Sequence, residues 1–421
     1  DETAASDSLT IEHPLQPFSR AYFGPERPEL SSYATEWHQV HTGPTVTHTA
    51  NPAQAEDEMD APIPTLGDLT QLLKQPWRVY LGRHLGVAPR TDIRLPEDDE
   101  PFALDPLGES QLSARLLDQV RSRLARAPVE TLTSERLEEL LPDWIEAAFD
   151  RLAGTGQLPL APFDEGVRRE HAAPLARQLS TWAAFQARYP DLMPAIDIAD
   201  RLTPDAGNDQ DATLAGQIDD IRVGEDQVVR LRLLSGALHK GKDLKWHRLV
   251  GEWPTHLAAQ LSGHAVTTYL ISESDAQRDS LLERPIAMEP VEPAVARDLL
   301  TALVGWWHQA RCQPLPAEAR TQIAWLIARL SGKDDHKRRS AARGAFDNAS
   351  QYDADLSRLW PEFEALGTHP DFEAVADALY RPLLSGTRGE HRKALATEAL
   401  ATEALATEGM DTEGMDTEGE A

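Results

Sequence analysis

The sequence has 421 residues with 69 acidic and 41 basic side chains, which gives a formal net charge of −28 at pH 7. This balance disfavours an independent, non-specific DNA-binding protein, because such proteins are usually basic. The length allows two ordinary domains or one large one, and the single cysteine, Cys312, excludes an internal disulfide and fits a reducing cytoplasm. The sequence contains no apolar run of about 18 residues, so no transmembrane helix is expected.

The first 60 residues are predicted to form an extended entry segment followed by a linker. Pro14 and Pro17 disfavour a helix, so Leu15 and Phe18 are expected to pack on a neighbouring surface from extended backbone. Residues 43–62 have the composition of a linker.

Regular structure is predicted from residue 61 to about 390. Helical spacing indicates helices at 66–87 with a break at Pro76, at 109–127, at 134–153 with a kink or split at Pro142, and at 165–189. Strands are predicted at 195–202, 214–236 and 265–272, with a helix over 243–263 that restarts at Pro254. Further helices are expected at 292–310, 317–331, 338–347, 354–366 and 370–383. This order predicts a mostly helical α+β domain with its sheet core at about 195–275.

The last 31 residues, 391–421, are predicted to be a disordered acidic tail. From Ala394 the sequence repeats Ala-Leu-Ala-Thr-Glu three times and Gly-Met-Asp-Thr-Glu twice, with eight acidic residues and no lysine or arginine. Such a segment cannot bury enough apolar surface to fold.

The stretch from residue 214 to residue 236 has the pattern of a β-hairpin. A first alternating run begins at Leu214, the turn-forming residues Gly224 and Glu225 follow, and a second run covers 228–234. Alternation places one set of side chains (Val228, Arg230, Arg232 and Leu234) on one face of the second strand and another set (Val229, Leu231 and Leu233) on the other.

The hairpin resembles the core of a metal-dependent nuclease that has lost its active site. Such an enzyme needs carboxylates from adjacent strands to hold a divalent metal and a lysine to stabilise the attacked phosphate. The first strand is expected to end on Asp219 and Asp220, but the positions matching an Asp/Glu-x-Lys are Arg232 and Leu234, neither of which can hold a cation. The pattern predicts vestigial nuclease positions, no catalytic residue and no metal site.

Two further interpretations of these residues stay open from the sequence. Arg230 and Arg232 can form ion pairs with the aspartates, or they can contact DNA phosphates. A literal Asp-x-Lys occurs at Asp243 to Lys245, where Asp243 is expected to cap a helix rather than to act in catalysis.

A basic cluster near residue 340 is the preferred DNA-facing candidate in this acidic chain. It comprises Lys337, Arg338, Arg339 and Arg343, preceded by Lys333, at the start of a predicted helix. Such a run is more often a solvated helix face, so only its contrast with the acidic background favours DNA contact.

Several separated stretches together resemble one family. They are HPLQPFSRAYF, LLKQPWRVYLGRHLGV, EPFALDPLGESQL, GTGQLP, the hairpin, AFDNASQYDADLSRLWPEFEAL and the late YRPLL, in this order from about His13 to Leu384. They resemble the C-terminal part of RecC, the gamma subunit of exodeoxyribonuclease V. In that family two inactive helicase-like domains precede this region, so the chain is expected to be a fragment of a longer subunit.

The resemblance implies a non-catalytic part of the RecBCD helicase–nuclease complex. The family's last domain is a PD-(D/E)xK nuclease-like fold without its catalytic residues, which scaffolds the RecB-like and RecD-like helicase subunits. It guides or splits double- and single-stranded DNA during double-strand break repair by homologous recombination. The resemblance implies no cofactor for this chain, since Mg and ATP are used by the partner subunits, and it implies a cytoplasmic location without membrane contact.

Two alternatives of other classes remain. One is an active metal-dependent DNA nuclease using Asp219, Asp220 and a displaced ligand. The other is an acidic protein-interaction module without DNA contact, which would lack a joint positive groove of Arg230, Arg232 and the cluster near residue 340.

Overall fold

The computed structural model describes residues 10–16, 18–25, 29–30, 32–33, 37, 62–85, 102–124, 126, 134–198, 200–202, 212–225, 227–240, 243–273 and 285–386. The chain divides into two compact units, residues 1–60 and 61–421. The predicted linker at 43–62 lies almost entirely outside the described residues, and the predicted disordered tail lies entirely outside them.

The first unit contains a 3-10 turn at Arg20–Tyr22, with Ser19 at its N-terminal cap. The Tyr22 hydroxyl lies 3.2 Å from Nδ1 of His13. Leu15 is fully exposed, so the expectation that it packs on a neighbour is wrong for the described structure.

The second unit begins with five helices that precede the main sheet. They are α1 Leu66–Lys74, α2 Pro76–Leu85, α3 Pro106–Leu124, α4 Ser134–Ala153 and α5 Asp164–Arg188. Thr65 and Asp68 form a capping box at the start of α1, and α1 ends before Pro76 because proline cannot donate the next helical hydrogen bond. Helix α4 continues through Pro142, so the predicted split there is wrong, while the alternative of a kink stays a prediction.

The strands are short apart from two. They are β1 Asp191–Leu192, β2 Ile196–Asp197, β3 Asp200–Leu202, β4 Ala212–Leu214, β5 Gln217–Ile218, β6 Ile221–Gly224, β7 Gln227–Leu234, β8 His239–Lys240, β9 Asp243–Leu244, β10 Val266–Ser272 and β11 Ile286–Met288. A 3-10 turn at Trp246–Arg248 and helix α6 Trp253–Gln260 lie between β9 and β10.

The main sheet is mixed and has the order β1-β6-β7-β10-β11. Strands β1, β6 and β7 pair antiparallel, β7 and β10 pair in parallel from Val228↔Val266 to Leu234↔Ser272, and β11 pairs antiparallel to β10. Strands β2 with β5, β3 with β4, and β8 with β9 form small two-stranded sheets. The parallel pair requires a crossover, which α6 supplies.

Helices cover both faces of the main sheet, which is why β7 and β10 carry apolar residues on each side. On one face Val229, Leu231 and Ile271 join a core formed with α3, α4 and α5. On the other, Val266 and Leu270 join a larger core with α1, α2, α6 and the later helices. Gln178 of α5 fixes the ends of the parallel pair, since its Nε2 donates to the carbonyls of Leu234 (2.9 Å) and Ile271 (3.0 Å).

After the sheet the chain is helical again. The helices are α7 Pro293–Cys312, α8 Ala319–Leu330, α9 Asp335–Ser350, α10 Ala354–Leu359, α11 Phe363–Gly367, α12 Phe372–Leu379 and α13 Arg381–Gly386. The prediction of a mostly helical α+β domain is confirmed. The single helix predicted at 354–366 is instead two, because Trp360-Pro361 interrupts it, and strand β11 was not predicted.

Candidate functional site

The candidate site lies on the face of β7 that α6 covers. From α5 onward the elements of the main sheet follow the order α5-β1-β6-β7-α6-β10. The predicted alternation along β7 is confirmed: Val229, Leu231 and Leu233 pack in the α5-side core, while Val228 and Leu234 pack in the α6-side core. Arg230 and Arg232 share that second face, so two guanidinium groups enter a largely apolar layer.

Glu252, at the start of α6, neutralises both arginines. Its Oε2 atom lies 3.0 Å from Nη1 of Arg230 and 3.0 Å from Nε of Arg232, and its Oε1 atom lies 3.4 Å from Nη2 of Arg232. The Arg230 side chain is 4% exposed and that of Glu252 is 13% exposed. The pair is therefore buried, and Nε of Arg230 has no hydrogen-bond partner among the described residues.

Asp220 extends this charge network toward the surface. Its Oδ2 atom lies 3.0 Å from Nη2 of Arg121 on α3 and 3.9 Å from Nη1 of Arg232. Asp220 has a φ of 58°, the left-handed conformation that aspartate tolerates better than most residues. The network Arg230–Glu252–Arg232–Asp220–Arg121 thus alternates in sign from the interior to the surface.

Burial and the neighbouring charges act in opposite directions on the pKa values of Glu252, Arg232 and Arg230. Burial raises the pKa of Glu252, but the neighbouring Arg232 and Arg230 guanidinium groups lower that pKa by more, so the net shift is downward. Burial lowers the pKa of Arg232, and the Glu252 charge outweighs this and raises it overall. For Arg230 burial dominates, and its pKa falls below the ordinary value despite Glu252.

The predicted vestigial positions are only partly brought together. Asp220 and Arg232 are neighbours, whereas Leu234 packs in the apolar core on the α6 side of the sheet. Asp219 and Asp220 do not end the first strand of a long hairpin, as expected, but lie between β5 and β6 where the chain passes from a small sheet to the main one. The first arm of the hairpin is therefore only Ile221–Gly224.

Arg230 and Arg232 do form ion pairs, but the partner of Arg230 is a glutamate and not one of the two aspartates. Both arginines pair with Glu252, which sequence reasoning missed, and only Arg232 reaches an aspartate. Arg230 offers no surface to a ligand in this conformation, whereas Arg232 is 26% exposed.

The expectation that Asp243 caps a helix is wrong. Asp243 lies in β9, and Lys245 precedes the 3-10 turn, donating from Nζ to the carbonyl of Ala237 at 3.0 Å. Helix α6 begins only at Trp253, so most of the predicted helix at 243–263 is replaced by a hairpin and turns.

The basic cluster near residue 340 lies at the start of α9 and is exposed except for the half-buried Arg338. Lys337 pairs with Asp334 (3.1 Å), Arg339 with Asp335 (3.0 Å), and Arg343 with Glu364. Arg338 donates from Nε to the carbonyl of Lys333 at 2.9 Å. Much of the positive charge of this cluster is thus balanced by acidic neighbours.

Within the described ranges, no group of three or more histidine, cysteine, aspartate and glutamate side chains is arranged to hold a metal ion. Glu252 and Asp220 each face guanidinium groups instead of each other, so the carboxylates near the site are already neutralised by protein cations.

The comparison with protein families decides the assignment. The model of the RecC C-terminal domain matches residues 61–330, which is well over half of the chain. The chain belongs to the RecC C-terminal domain family. Among curated proteins no match to the chain was found.

Membership makes this a RecC-type chain, of the exodeoxyribonuclease V class that serves DNA repair. The matched region covers α1 to α8 and therefore the whole main sheet and the charge network on β7. Within the described residues no helix is both long and apolar enough to cross a membrane.

Proposed function

We propose that this chain is a non-catalytic part of a RecBCD-type helicase–nuclease complex, where it scaffolds the RecB-like and RecD-like helicase subunits and guides or splits DNA strands. The complex acts on double-strand breaks of chromosomal DNA, and its location is the cytoplasm. ATP hydrolysis and Mg-dependent cleavage belong to the partner subunits, and this chain needs no cofactor of its own.

The observation that carries the proposal is the charge network on β7. We infer that the order α5-β1-β6-β7-α6-β10 derives from a PD-(D/E)xK-type nuclease core, in which adjacent strands would hold a divalent metal with carboxylates. Here Arg230 and Arg232 occupy the corresponding strand and are neutralised by Glu252 and Asp220. A guanidinium group cannot ligate a metal, and its presence repels one.

The scaffolding role draws support from the amount of structure built around this inactive centre. Helices cover both faces of the sheet and α7 to α13 extend the α6-side core well beyond what one metal site requires. A large domain that holds no metal-binding cluster among its described residues is suited to holding other subunits in position.

The test is a magnesium titration with an end-labelled DNA duplex, on this chain alone and on its complex with the helicase subunits. The proposal expects no cleavage by the chain alone, stable association with the partners, and unwinding and cleavage only by the complex. The Asp219→Ala variant should leave the activity of the complex unchanged.

The alternative of an active nuclease makes the opposite forecast. Its one favourable observation is Asp219, which is exposed beside Asp220 just before β6. If the isolated chain cleaves DNA with magnesium and Asp219→Ala abolishes that cleavage, the non-catalytic proposal fails. Absence of association with the helicase subunits would remove the scaffolding part.

One measurement, the DNA affinity of the assembled complex, distinguishes the alternative of an acidic interaction module without DNA contact. It forecasts that removing basic side chains from this chain leaves the DNA affinity of the assembled complex unchanged. The net charge of −28 favours this alternative only if no local positive surface exists.

A further inference from the structure

Four arginines lie exposed on and beside helices α3 and α4. Arg115 and Arg123 belong to α3, Arg126 follows its last turn, and Arg151 belongs to α4. Arg115, Gln119 and Arg123 are four residues apart, so they form one row along α3. These four arginine side chains constitute the arginine surface, which contrasts with the net charge of −28 of the whole chain.

Hydrogen bonds between side chains connect the two helices at this surface. Nε of Arg151 donates to the side-chain carbonyl of Gln119 at 3.1 Å, at the middle position of the row on α3. Nη1 of Arg115 donates to the side-chain carbonyl of Gln157, which follows α4. The arginines of α3 and α4 therefore occupy one continuous region of the domain surface.

Arg123 is held in place by an aromatic ring. Its guanidinium carbon lies 4.8 Å from the ring centroid of Trp144 on α4. Trp144 is 8% exposed and packs in the α5-side core, so it gives the arginine a fixed support. A guanidinium group over an aromatic face is positioned by the ring and keeps its full charge.

The arginine surface is not neutralised by carboxylates. Among the described residues none of its four members forms an ion pair, whereas Arg121, Arg136 and Arg168 on the same three helices, α3 to α5, each pair with a carboxylate. Asp118 on α3 and Asp143 on α4 are exposed and near in sequence, and neither forms a described ion pair with the surface. Four cations beside these two carboxylates leave a net positive potential.

Helix α4 separates its acidic and basic side chains. Glu146 and Asp150, one turn apart, pair with Arg168 of α5 at 2.8 Å and 2.9 Å. Trp144 and Arg151 are two turns apart and form a different row, the one that contacts α3. The acidic row of α4 thus contacts α5, and the row beside the arginine surface stays basic.

The arginine surface shares α3 with a contact to the vestigial nuclease positions. Nη2 of Arg121, two residues before Arg123, lies 3.0 Å from Oδ2 of Asp220. In a metal-dependent nuclease the phosphodiester backbone passes over the carboxylates of the site. A backbone that crossed the corresponding place here would meet α3 directly beside it.

We propose that the arginine surface binds the phosphodiester backbone of duplex DNA. Guanidinium groups donate to phosphate oxygens in the geometry that these anions prefer, and such contacts position a protein without reading the sequence. Guiding of DNA strands needs contacts of this kind. The inference rests on the proposed function, which it deepens by naming the surface that meets the DNA.

The arrangement favours a duplex over a single strand. Non-specific single-strand sites stack bases on open aromatic rings. The ring of this surface, Trp144, is almost buried and lies beneath Arg123, so it offers no face to a base. Arg115 and Arg126 are eleven residues apart, about 16 Å along a helix, a distance that spans several phosphates of a duplex.

The test compares two double variants of the full chain assembled with its helicase subunits. Arg115→Gln with Arg126→Gln removes two charges from the arginine surface. Arg136→Gln with Arg188→Gln removes two exposed arginines that pair with carboxylates and is the matched control. The probes are a fluorescent blunt duplex and a fluorescent single strand, and their affinities are measured from about 50 to 200 mM salt.

The site variant should bind the duplex roughly tenfold more weakly at low salt, with a slope of log affinity against log salt that is smaller by about 2. Its affinity for the single strand should equal that of the wild type, and the control variant should keep all values. Arg115→Lys with Arg126→Lys, which keeps both charges, should retain most of the duplex affinity. Thermal melting checks that each variant is folded.

The site and the proposed function fail in different ways. If the site variant binds the duplex as the wild type does, with an unchanged salt slope, the site is wrong while the proposed function stands. An equal loss in the control variant, or an equal loss for both probes, also overturns the duplex site. If the site variant no longer assembles with the helicase subunits, the surface binds an acidic protein and not DNA. If the wild-type complex binds neither probe, strand guiding and the site fail together.

Discussion

Nη1 of Arg230 lies 3.0 Å from Oε2 of Glu252, in a layer where both side chains are largely excluded from water. A buried charge is tolerated only when an opposite charge and hydrogen bonds compensate for its lost hydration. The pair joins β7 to the start of α6. Helix α6 belongs to the crossover that connects β7 to its parallel neighbour β10. The ion pair therefore has a structural role: it holds the crossover connection against the sheet.

Replacing Glu252 by glutamine should destabilise the domain by about 3 to 5 kcal/mol, because Arg230 would stay buried without a counter-charge. The measurement is the urea dependence of tryptophan fluorescence, compared with the wild-type chain. The matched control is Glu225→Gln, which removes the exposed ion pair of Glu225 with Arg188 and should cost less than about 1 kcal/mol.

A triple apolar variant shows whether the destabilisation comes from the unpaired buried charge, because it removes all three charges and keeps most of the side-chain volume. Arg230→Met and Arg232→Met combined with Glu252→Leu remove all three charges together, so most of the stability should return. If Glu252→Gln unfolds at the same urea concentration as the wild type, the pair does not stabilise the crossover.

Acid sensitivity should arise from His256, which is fully buried on α6. Its Nε2 must carry a proton because it donates to the main-chain carbonyl of Glu289 (3.0 Å), so its Nδ1 accepts from the hydroxyl of Thr268 (2.9 Å). Burial lowers its pKa from 6.5 to about 4. Between these values the unfolded chain takes up a proton that the folded chain does not, so stability should fall as the pH decreases from about 6.5 to 4.

The measurement is the urea midpoint as a function of pH for the wild type and for His256→Gln, which keeps a polar side chain but cannot titrate. The variant should be less stable at pH 7 and should show a shallower decline toward pH 4. His264→Gln, at an exposed histidine, serves as the control and should leave the decline unchanged. Equal declines in all three chains would show that His256 does not dominate the acid response.

The alternation of β7 was predictable because its side chains obey a local two-residue period. Each apolar position from Val229 to Leu233 needed only its neighbours in sequence to be placed on the correct face. The same holds for the helix boundary at Pro76, where one residue determines which hydrogen bond is lost. Local rules therefore recovered the mostly helical α+β class and the faces of the central strand.

The partner of the two arginines was not predictable by the same means. Glu252 is separated from Arg232 by a hairpin, a 3-10 turn and the start of a helix, and no periodic pattern connects the two positions. The passage of the chain between sheets at Asp219 and Asp220 was also missed, because alternation before and after it looks like one strand. Only the left-handed tolerance of aspartate gave a local signal for that corner.

Gly224 should be intolerant of a side chain because β6 meets the end of α5 there. A Cβ at this position would lie 2.4 Å from the carbonyl oxygen of Arg188 and 2.8 Å from Cα of Tyr189, and both are main-chain atoms that cannot rotate away. Gly224→Ala should therefore destabilise the domain by about 1 to 3 kcal/mol. Gly305→Ala, inside α7 with open space around it, should instead stabilise by about 0.5 to 1 kcal/mol. Thermal melting of the two variants measures this, and a common sign of the two shifts would contradict the packing argument.

Asp220 should respond to substitution through its backbone more than through its charge. Its φ of 58° costs a residue such as alanine about 1 to 2 kcal/mol, whereas asparagine tolerates this conformation. Its ion pair with Arg121 is 27% to 38% exposed, so losing the charge should cost less than about 1 kcal/mol. Asp220→Asn should consequently be more stable than Asp220→Ala, with Asp220→Gly between or above them, as measured by urea unfolding. Equal losses for asparagine and alanine would mean that the pairing with Arg121 and Arg232, and not the backbone, sets the requirement for aspartate at this corner.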